Sequence, residues 1–335
     1  MAAMRSVIVF IILLKVLLMI YLITPGKTDF AEEPLLKEEK YSENPTNEEH
    51  LMDFVNFSYT IEQPSCGVET QGLILIHTAP DHFGKRSVIR ETWGNFSADQ
   101  DSPLRLIFAL GAVQNDSLQT SLIEEQTLFG DLLQGNFMDT YVNITYKHVM
   151  VLKWFNSHCN HAKLLMKIDD DIFVNTRLLL DNLMEQVEAP KTILSYTLRR
   201  KEKVLLCSKN PNPRVIRSYK SKWRVSFKEY PDSHYPDFCP GFTVIYSPDV
   251  AKRLYEEVQQ SPYFRLDDVY ITGIMSKRAN ITITDLKPYI LYPGKTKMKL
   301  MSGEVPVSAM ELLVSWHQIE AKEMRTLWTL FAGGQ

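Results

Sequence analysis

Net charge is what this sequence has least of. Its 37 lysines and arginines stand against 40 acids, leaving a formal charge of −3 over 335 residues. No basic field is available to draw in nucleic acid, so that partner is not expected. Cysteines are few: Cys66, Cys159, Cys207 and Cys239, with no CxxC pair and no zinc spacing. No repeat or low-complexity tract interrupts the body of the chain. What remains, with 45% apolar residues and 11% aromatics, fits a packed globular protein of one large domain or two small ones.

The N-terminus holds the one long apolar run. Val7 to Ile23 contains a single charge, Lys15, whose stem can snorkel. As a helix it would span roughly 25 Å, close to the bilayer hydrocarbon core. The competing reading is a cleaved signal peptide. Thr24-Pro25-Gly26-Lys27 offers it no small-residue cleavage site. Arg5 precedes the run, and Asp29 to Glu49 holds eight acids against two lysines, which places the body on the lumenal side. The expected organisation is a cytosolic tail at 1–6, a signal-anchor at 7–23, a Pro-containing acidic stem at 24–65, and a lumenal domain at 66–335. Five N-x-S/T sequons agree with a lumenal body: Asn56, Asn95, Asn115, Asn143 and Asn280. Asn143 also reads as a helix N-cap. In an oxidising lumen the four cysteines allow two disulfides in any of three pairings; the alternative is four buried thiols.

The body alternates between periods. Leu73 to Ile76, Leu104 to Leu110 and Leu164 to Ile168 are continuous apolar runs, read as buried parallel strands. Helical spacing follows at Lys85 to Trp93, Glu124 to Phe129, Asn143 to His158 and Arg177 to Val187. His148 falls on the apolar face of the third and reads as a satisfied core histidine rather than a ligand. The rhythm predicts an α/β fold with a mostly parallel central sheet and right-handed crossovers. Residues 190–247 are loop-rich and aromatic, as expected of a substrate-facing insertion.

Two acidic clusters carry the chemistry. Asp169-Asp170-Asp171 ends an apolar strand, at the edge where open α/β sheets bind ligands. Alternation puts Asp169 and Asp171 on one face and Asp170 on the other. Carboxylates this close raise each other's pKa unless a cation lies between them, and a hard divalent ion would also hold a diphosphate. A solvated acidic turn is the bland alternative. The second cluster, Asp267-Asp268, precedes an apparent helix running to Arg278, where acids also serve simply as a helix start.

At these residues the chain resembles the β-1,3-galactosyltransferase family, which includes related β-1,3-N-acetylglucosaminyltransferases. The similar segments are Arg86 to Gly94, Phe137 to Met150, Met166 to Asn175, Ser221 to Ser226, Glu229 to Pro236, Cys239, and Phe264 to Gly273. The resemblance implies a GT-A type nucleotide-sugar-binding domain on a type II Golgi membrane protein. It implies a UDP-sugar donor, Mn²⁺ or a similar ion, and a glycan acceptor on protein or lipid. Asp171 is then the metal ligand, with Asp169 assisting; Asp169 and Asp170 contact the donor. Asp268 is the catalytic base, paired with Asp267. Arg86 and Arg90 lie beside the nucleotide site, although Arg90 reads equally as a structural ion-pair partner. Trp223, Tyr230 and Gly241 line the sugar pocket, with core packing the alternative for the aromatics.

Three departures stand out. The family's glycine-rich run reads Cys239-Pro240-Gly241-Phe242-Thr243-Val244 here, with bulk where a glycine is usual. The position of a family histidine associated with the metal falls on Val305, and no histidine lies between His234 and His317. The tail after residue 290 matches poorly. The expected activity is inverting transfer of a hexose, preferably galactose, in β-1,3 linkage. The alternatives are transfer of N-acetylglucosamine or an inactive lumenal binding protein of the same fold. An Asp-nucleophile phosphatase is weaker, because its partner motifs are missing.

Overall fold

The computed structural model describes residues 50–98, 102–184, 192–200 and 202–332. The expected tail, anchor and stem up to residue 49 lie outside them. Among the described residues no helix is long and apolar enough to cross a membrane.

Each apolar run of the first half becomes a strand. In chain order the elements are β1 (Tyr59–Ile61), β2 (Gly72–His77), α1 (Phe83–Glu91), β3 (Leu104–Ala112), α2 (Asp116–Phe129) and β4 (Leu132–Met138). They continue with α3 (Ile144–His158), β5 (Leu164–Asp169), α4 (Thr176–Leu183), α5 (Ile193–Leu198), β6 (Leu205–Cys207) and β7 (Thr243–Tyr246). After α6 (Pro248–Gln259) comes a π-helical turn, Asp268–Met275, then β8 (Thr284–Asp285), β9 (Ile290–Leu291), α7 (Lys295–Met301), β10 (Val314–Ser315) and α8 (Ala321–Ala332).

The main sheet runs β1-β4-β3-β2-β5-β7-β6-β8. β4, β3, β2 and β5 are parallel, while β1 and β7 are added antiparallel at either side. The chain winds outward from β2 through β3 and β4, then returns to place β5 on the other side of β2. That reversal opens a crevice at the carboxyl ends of β2 and β5, where His77 and Asp169 are register partners. One face of the sheet packs Val88, Ile89, Leu122 and Leu179 from α1, α2 and α4. The other packs Val149, Leu152, Phe155 and Leu254 from α3 and α6. Both faces are covered, which is why the strands read as unbroken apolar runs rather than alternating ones.

The structure corrects the sequence reading in three places. Residues 50–65 belong to the folded body rather than the stem. Leu51 and Phe57 are buried, and β1 closes the edge of β4. The helix expected at Glu124 to Phe129 is the end of a longer one, begun at Asn115, whose side chain accepts from Leu118 N. It stops at Gly130, in the left-handed conformation a residue with a side chain resists. The 190–247 region supplies α5, β6 and β7 as well as loop.

Two disulfides settle the pairing among the three possibilities. Cys66–Cys159 ties the approach to β2 to the end of α3, and Cys207–Cys239 closes the long loop between β6 and β7. That loop builds a small core of its own from Val215, Val225, Tyr235 and Phe238 against Leu266 and Val269.

A chain beginning at residue 66 is expected to be less stable than one beginning at 50. Removing the buried Leu51 and Phe57 side chains alone costs about 3–6 kcal/mol, besides exposing the β4 edge. Thermal melting of the two secreted bodies measures it; equal melting temperatures would show that residues 50–65 do not support the fold.

Candidate active site

The floor of the crevice is built on β5. Lys167 and Asp169 are two residues apart, so they share the sheet face that carries α3. Lys167 is 1% exposed and donates to Asp169 Oδ1 at 2.9 Å and to the Gly241 carbonyl oxygen. Burial opposes its charge, yet Asp169, Asp267 and Asp268 outweigh burial and raise its pKa. Partial burial raises the pKa of Asp169, and the charge of Asp171 adds to this against the pull of Lys167. Gly241 stands where a Cβ would meet Lys167 Nζ at 3.5 Å and Asp268 Cβ at 3.8 Å, so both acidic clusters converge on one glycine.

Asp170 points to the opposite face, as alternation requires. It is held by the Thr78 hydroxyl at 2.7 Å, the His82 ring at 2.6 Å and the Lys85 ammonium at 2.8 Å. Burial would raise its pKa, but these three partners lower it. Its carboxylate is engaged by the protein and ties the end of β5 to the start of α1. Asp171 differs: its Oδ1 is buried with no partner, a vacancy that suits a cation. Among the described residues no three His, Cys, Asp or Glu side chains converge tightly enough to hold a metal alone.

Asp267 and Asp268 open the π-helical turn, and their surroundings separate them. Asp267 is buried, with Oδ2 2.8 Å from His148 Nδ1. The other nitrogen of that ring lies 2.9 Å from the Tyr246 hydroxyl. Burial drives the Tyr246 pKa far up, so its O–H persists and donates to Nε2. Burial likewise keeps His148 neutral, leaving Nδ1–H to donate to Asp267. Burial would raise the Asp267 pKa, but His148 and Lys167 bring it below the ordinary carboxylate value. Asp268 lacks the histidine: burial and the charge of Asp267 push it up to about 7, against the Val269 N–H and Lys167. His148 is thus the satisfied core histidine the sequence suggested, and its partner is a site residue. His77 lies edge-on to His148 at 5.5 Å, buried, with neither ring nitrogen bonded to the protein.

Arg86 and Arg90 do not face the crevice. Arg86 is fully buried, bonded to Glu125 at 2.8 and 2.7 Å and to the Ala79 and Pro80 carbonyls. Arg90 grips Asp131 and Glu125 at 2.7 and 2.8 Å and lies over the Phe129 ring. Arg86 fastens α1 to α2, and Arg90 adds the residue before β4. Trp223 is 49% exposed and bears on the Tyr141 hydroxyl, whose pKa burial raises and Trp223 lowers. Tyr141 in turn feels the charge of Asp268, which places this aromatic pair beside the carboxylate of raised pKa. Tyr230 packs against Tyr235 at 4.9 Å, which fits the core alternative.

The displaced histidine also has an explanation. Ile319 N donates to the Asp171 carbonyl at 3.0 Å, and the His317 ring lies 5.9 Å from Phe242, whose own carbonyl accepts from Asp169 N. The 316–319 segment therefore borders the triple aspartate. Phe242 itself is buried against Trp316 at 4.7 Å. Lys167, Tyr141 and the His148 link were missed as site residues. A lysine inside an apolar buried strand was the available signal for the first, since it needs an acidic partner there.

Arg86→Met is expected to cost about 3–5 kcal/mol of stability by leaving Glu125 to Arg90 alone and the Ala79 and Pro80 carbonyls without their donor, without changing the KM for a nucleotide donor in protein that survives. Urea denaturation and donor titration measure the two; a raised KM at unchanged stability would restore the donor role.

Comparison with known proteins follows this geometry. The galactosyltransferase family pattern matches residues 84–287. Beta-1,3-galactosyltransferase 1 of Mus musculus is 31% identical over 275 residues, 82% of this chain and 78% of that protein. Beta-1,3-galactosyltransferase 5 of Gorilla gorilla gorilla is 28% identical over 292 residues, 86% of this chain and 91% of that protein. A solved structure of the galactosyltransferase LgtC, with donor and acceptor sugar analogues, aligns at a TM-score of 0.35 and 9% identity over 78% of this chain and 95% of its own. That likeness is too distant to add weight. The family pattern and the 31% relative suffice: this chain belongs to the galactosyltransferase family.

Proposed function

We propose that the chain transfers galactose from UDP-galactose to a glycan hydroxyl with inversion, forming a β-1,3 linkage. The observation that carries the reading is the pair Asp267-Asp268, in which one carboxylate stays ionised beside His148 and its neighbour is tuned to about 7. A general base works best when its pKa lies near the operating pH. Asp268 takes the proton of the acceptor hydroxyl as its oxygen bonds to the anomeric carbon. The bond from that carbon to the β-phosphate oxygen breaks on the opposite side, and UDP leaves. Asp171 and Asp169 would hold a divalent ion such as Mn²⁺, which when bound supplies charge neutralisation to the diphosphate. Lys167 keeps the floor of carboxylates from repelling one another. Trp223 and Tyr141 offer flat faces to the acceptor beside the base.

The Golgi lumen, with a single type II anchor at 7–23, is the location this reading favours. Two disulfides support an oxidising compartment. Asn56, Asn95, Asn115 and Asn280 are exposed, as glycosylation requires. Asn143 is half-buried and its amide donates to the Met138 carbonyl, which makes it the sequon least open to a glycan.

The test is UDP release by the secreted body from residue 50 onward, given UDP-galactose, Mn²⁺ and simple β-linked acceptors. Asp268→Asn is expected to lower kcat by about 10²–10⁴ while UDP still binds. Full turnover by that variant would remove Asp268 from the role of base. An ionised base also fixes the sign of the pH dependence. Log kcat/KM should rise with a slope near one below about pH 7, the value of Asp268, and level off above it. A profile flat from pH 5 to 9 would sink the assignment. Chelation with EDTA, or Asp171→Ala, is expected to abolish release, with Mn²⁺ restoring only the former.

A further inference from the structure

Between residues 208 and 228 the chain carries seven lysines and arginines and not one acid, against a net charge of −3 for the whole. The stretch is the first half of the loop closed by Cys207–Cys239. Its three exposed aromatics each have a cation on the ring face. Arg224 lies over Tyr219 at 3.8 Å, Lys222 over Trp223 at 4.8 Å, and Arg217 over Phe227 at 4.1 Å. The cations are not equivalent. Arg217 uses its guanidinium to gather the carbonyls of Val225, Ser226, Tyr230 and Asp232, so its work is internal. Lys222 is exposed, has no carboxylate partner among the described residues, and lies 5.2 Å from the Tyr141 ring as well.

Lys222 is also fastened to the chemistry. Arg265, two residues before Asp267, donates to the carbonyls of Lys222 and Arg224. Glu229, the first acid after the basic stretch, is taken by Ser226 N at 2.7 Å and by Arg265. The result is a free ammonium above two aromatic faces, at the mouth of the cleft that holds Asp268.

We propose that Lys222 selects an anionic acceptor: a glycan bearing a carboxylate or sulfate close to the hydroxyl that is glycosylated. The proposal rests on the transferase reading and names its acceptor class. Aromatic faces stack on sugar rings without regard to charge, so Tyr141 and Trp223 alone would bind a neutral sugar. The unpaired ammonium adds a preference of one sign, and a matching anion is what it lacks. An anionic membrane is the other chemistry that suits a basic loop. The site favours the glycan, because Lys222 faces inward to Tyr141, while Tyr219 and Phe227, which could enter a bilayer, are capped by arginines.

The experiment pairs binding with turnover. The secreted body, with UDP and Mn²⁺, is titrated with matched disaccharides that differ only in a glucuronic acid for glucose, or in one sulfate. Release of UDP from UDP-galactose is then measured with the same pairs. The acidic member should bind about fivefold more tightly at low salt, the advantage shrinking as salt is raised. Lys222→Gln should erase that ratio and Lys222→Arg should keep it. Equal or weaker binding of the acidic sugar overturns the proposal, even if the neutral one turns over well. So does a preference shown only for vesicles containing phosphatidylserine, and so does a Lys222→Gln effect confined to the KM for UDP-galactose. Binding preference with no release from any acceptor would instead sink the transferase reading and leave the acidic-glycan site standing.

Discussion

A single buried ammonium holds this site together. Lys167 stands near the end of a strand otherwise apolar up to Asp169, and three carboxylates from two separate segments bear on it. Without a cation there, Asp169, Asp267 and Asp268 would face one another across the Gly241 backbone in a medium that screens poorly. Unpaired, such a lysine would itself lose its proton. The arrangement is therefore mutual: the acids keep Lys167 charged, and Lys167 lets the acids approach. The Gly241 carbonyl takes one of the ammonium's donors.

The same economy governs the long loop over the cleft. The long stretch between Cys207 and Cys239, at a sequence separation of 32, would cost much entropy to hold in place. The disulfide fixes its ends, and a small apolar core fixes its middle against Leu266 and Val269. Cys239 N donates to Thr272 Oγ1, whose own hydroxyl reaches back to the Asp268 carbonyl. The covering loop and the π-helical turn that carries Asp268 thus move as one body. A π-helical turn is rarely found away from functional sites, and here it opens with the two acids.

How much of this could be read in advance follows from where each signal lives. β2, β3 and β5 were legible because strands covered on both faces must be apolar throughout. The triple aspartate was legible because acids rarely interrupt such a run. α2 was hidden by its surface, since it buries only Leu122 and Glu125 and shows little periodicity. β1 has three residues and a bulge, too short for alternation to register. The ion pair of Arg86 was not legible because its partner, Glu125, is 39 residues away, and no local pattern announces a buried pair. The contact of the 316–319 segment was hidden for a related reason. The chain reaches the aspartates through Ile319, by a backbone bond that leaves no trace in composition.

Five aspartates in two short motifs are chemically identical in sequence, and only their surroundings give them different work. Asp170 is turned away and neutralised by Lys85, so it braces α1. Asp171 keeps an unpaired oxygen, and Asp169 shares a lysine. The decisive split is between neighbours. Asp267 receives the His148 N–H and gives up its proton readily, which makes it a fixed negative charge. That charge, set beside Asp268 in a partly dry cleft, is what makes the second carboxylate hold its proton until about pH 7. A carboxylate left at its ordinary value would be too weak a base to draw a proton from a sugar hydroxyl. The base is therefore made by its neighbour, and the neighbour by a histidine that never meets the substrate.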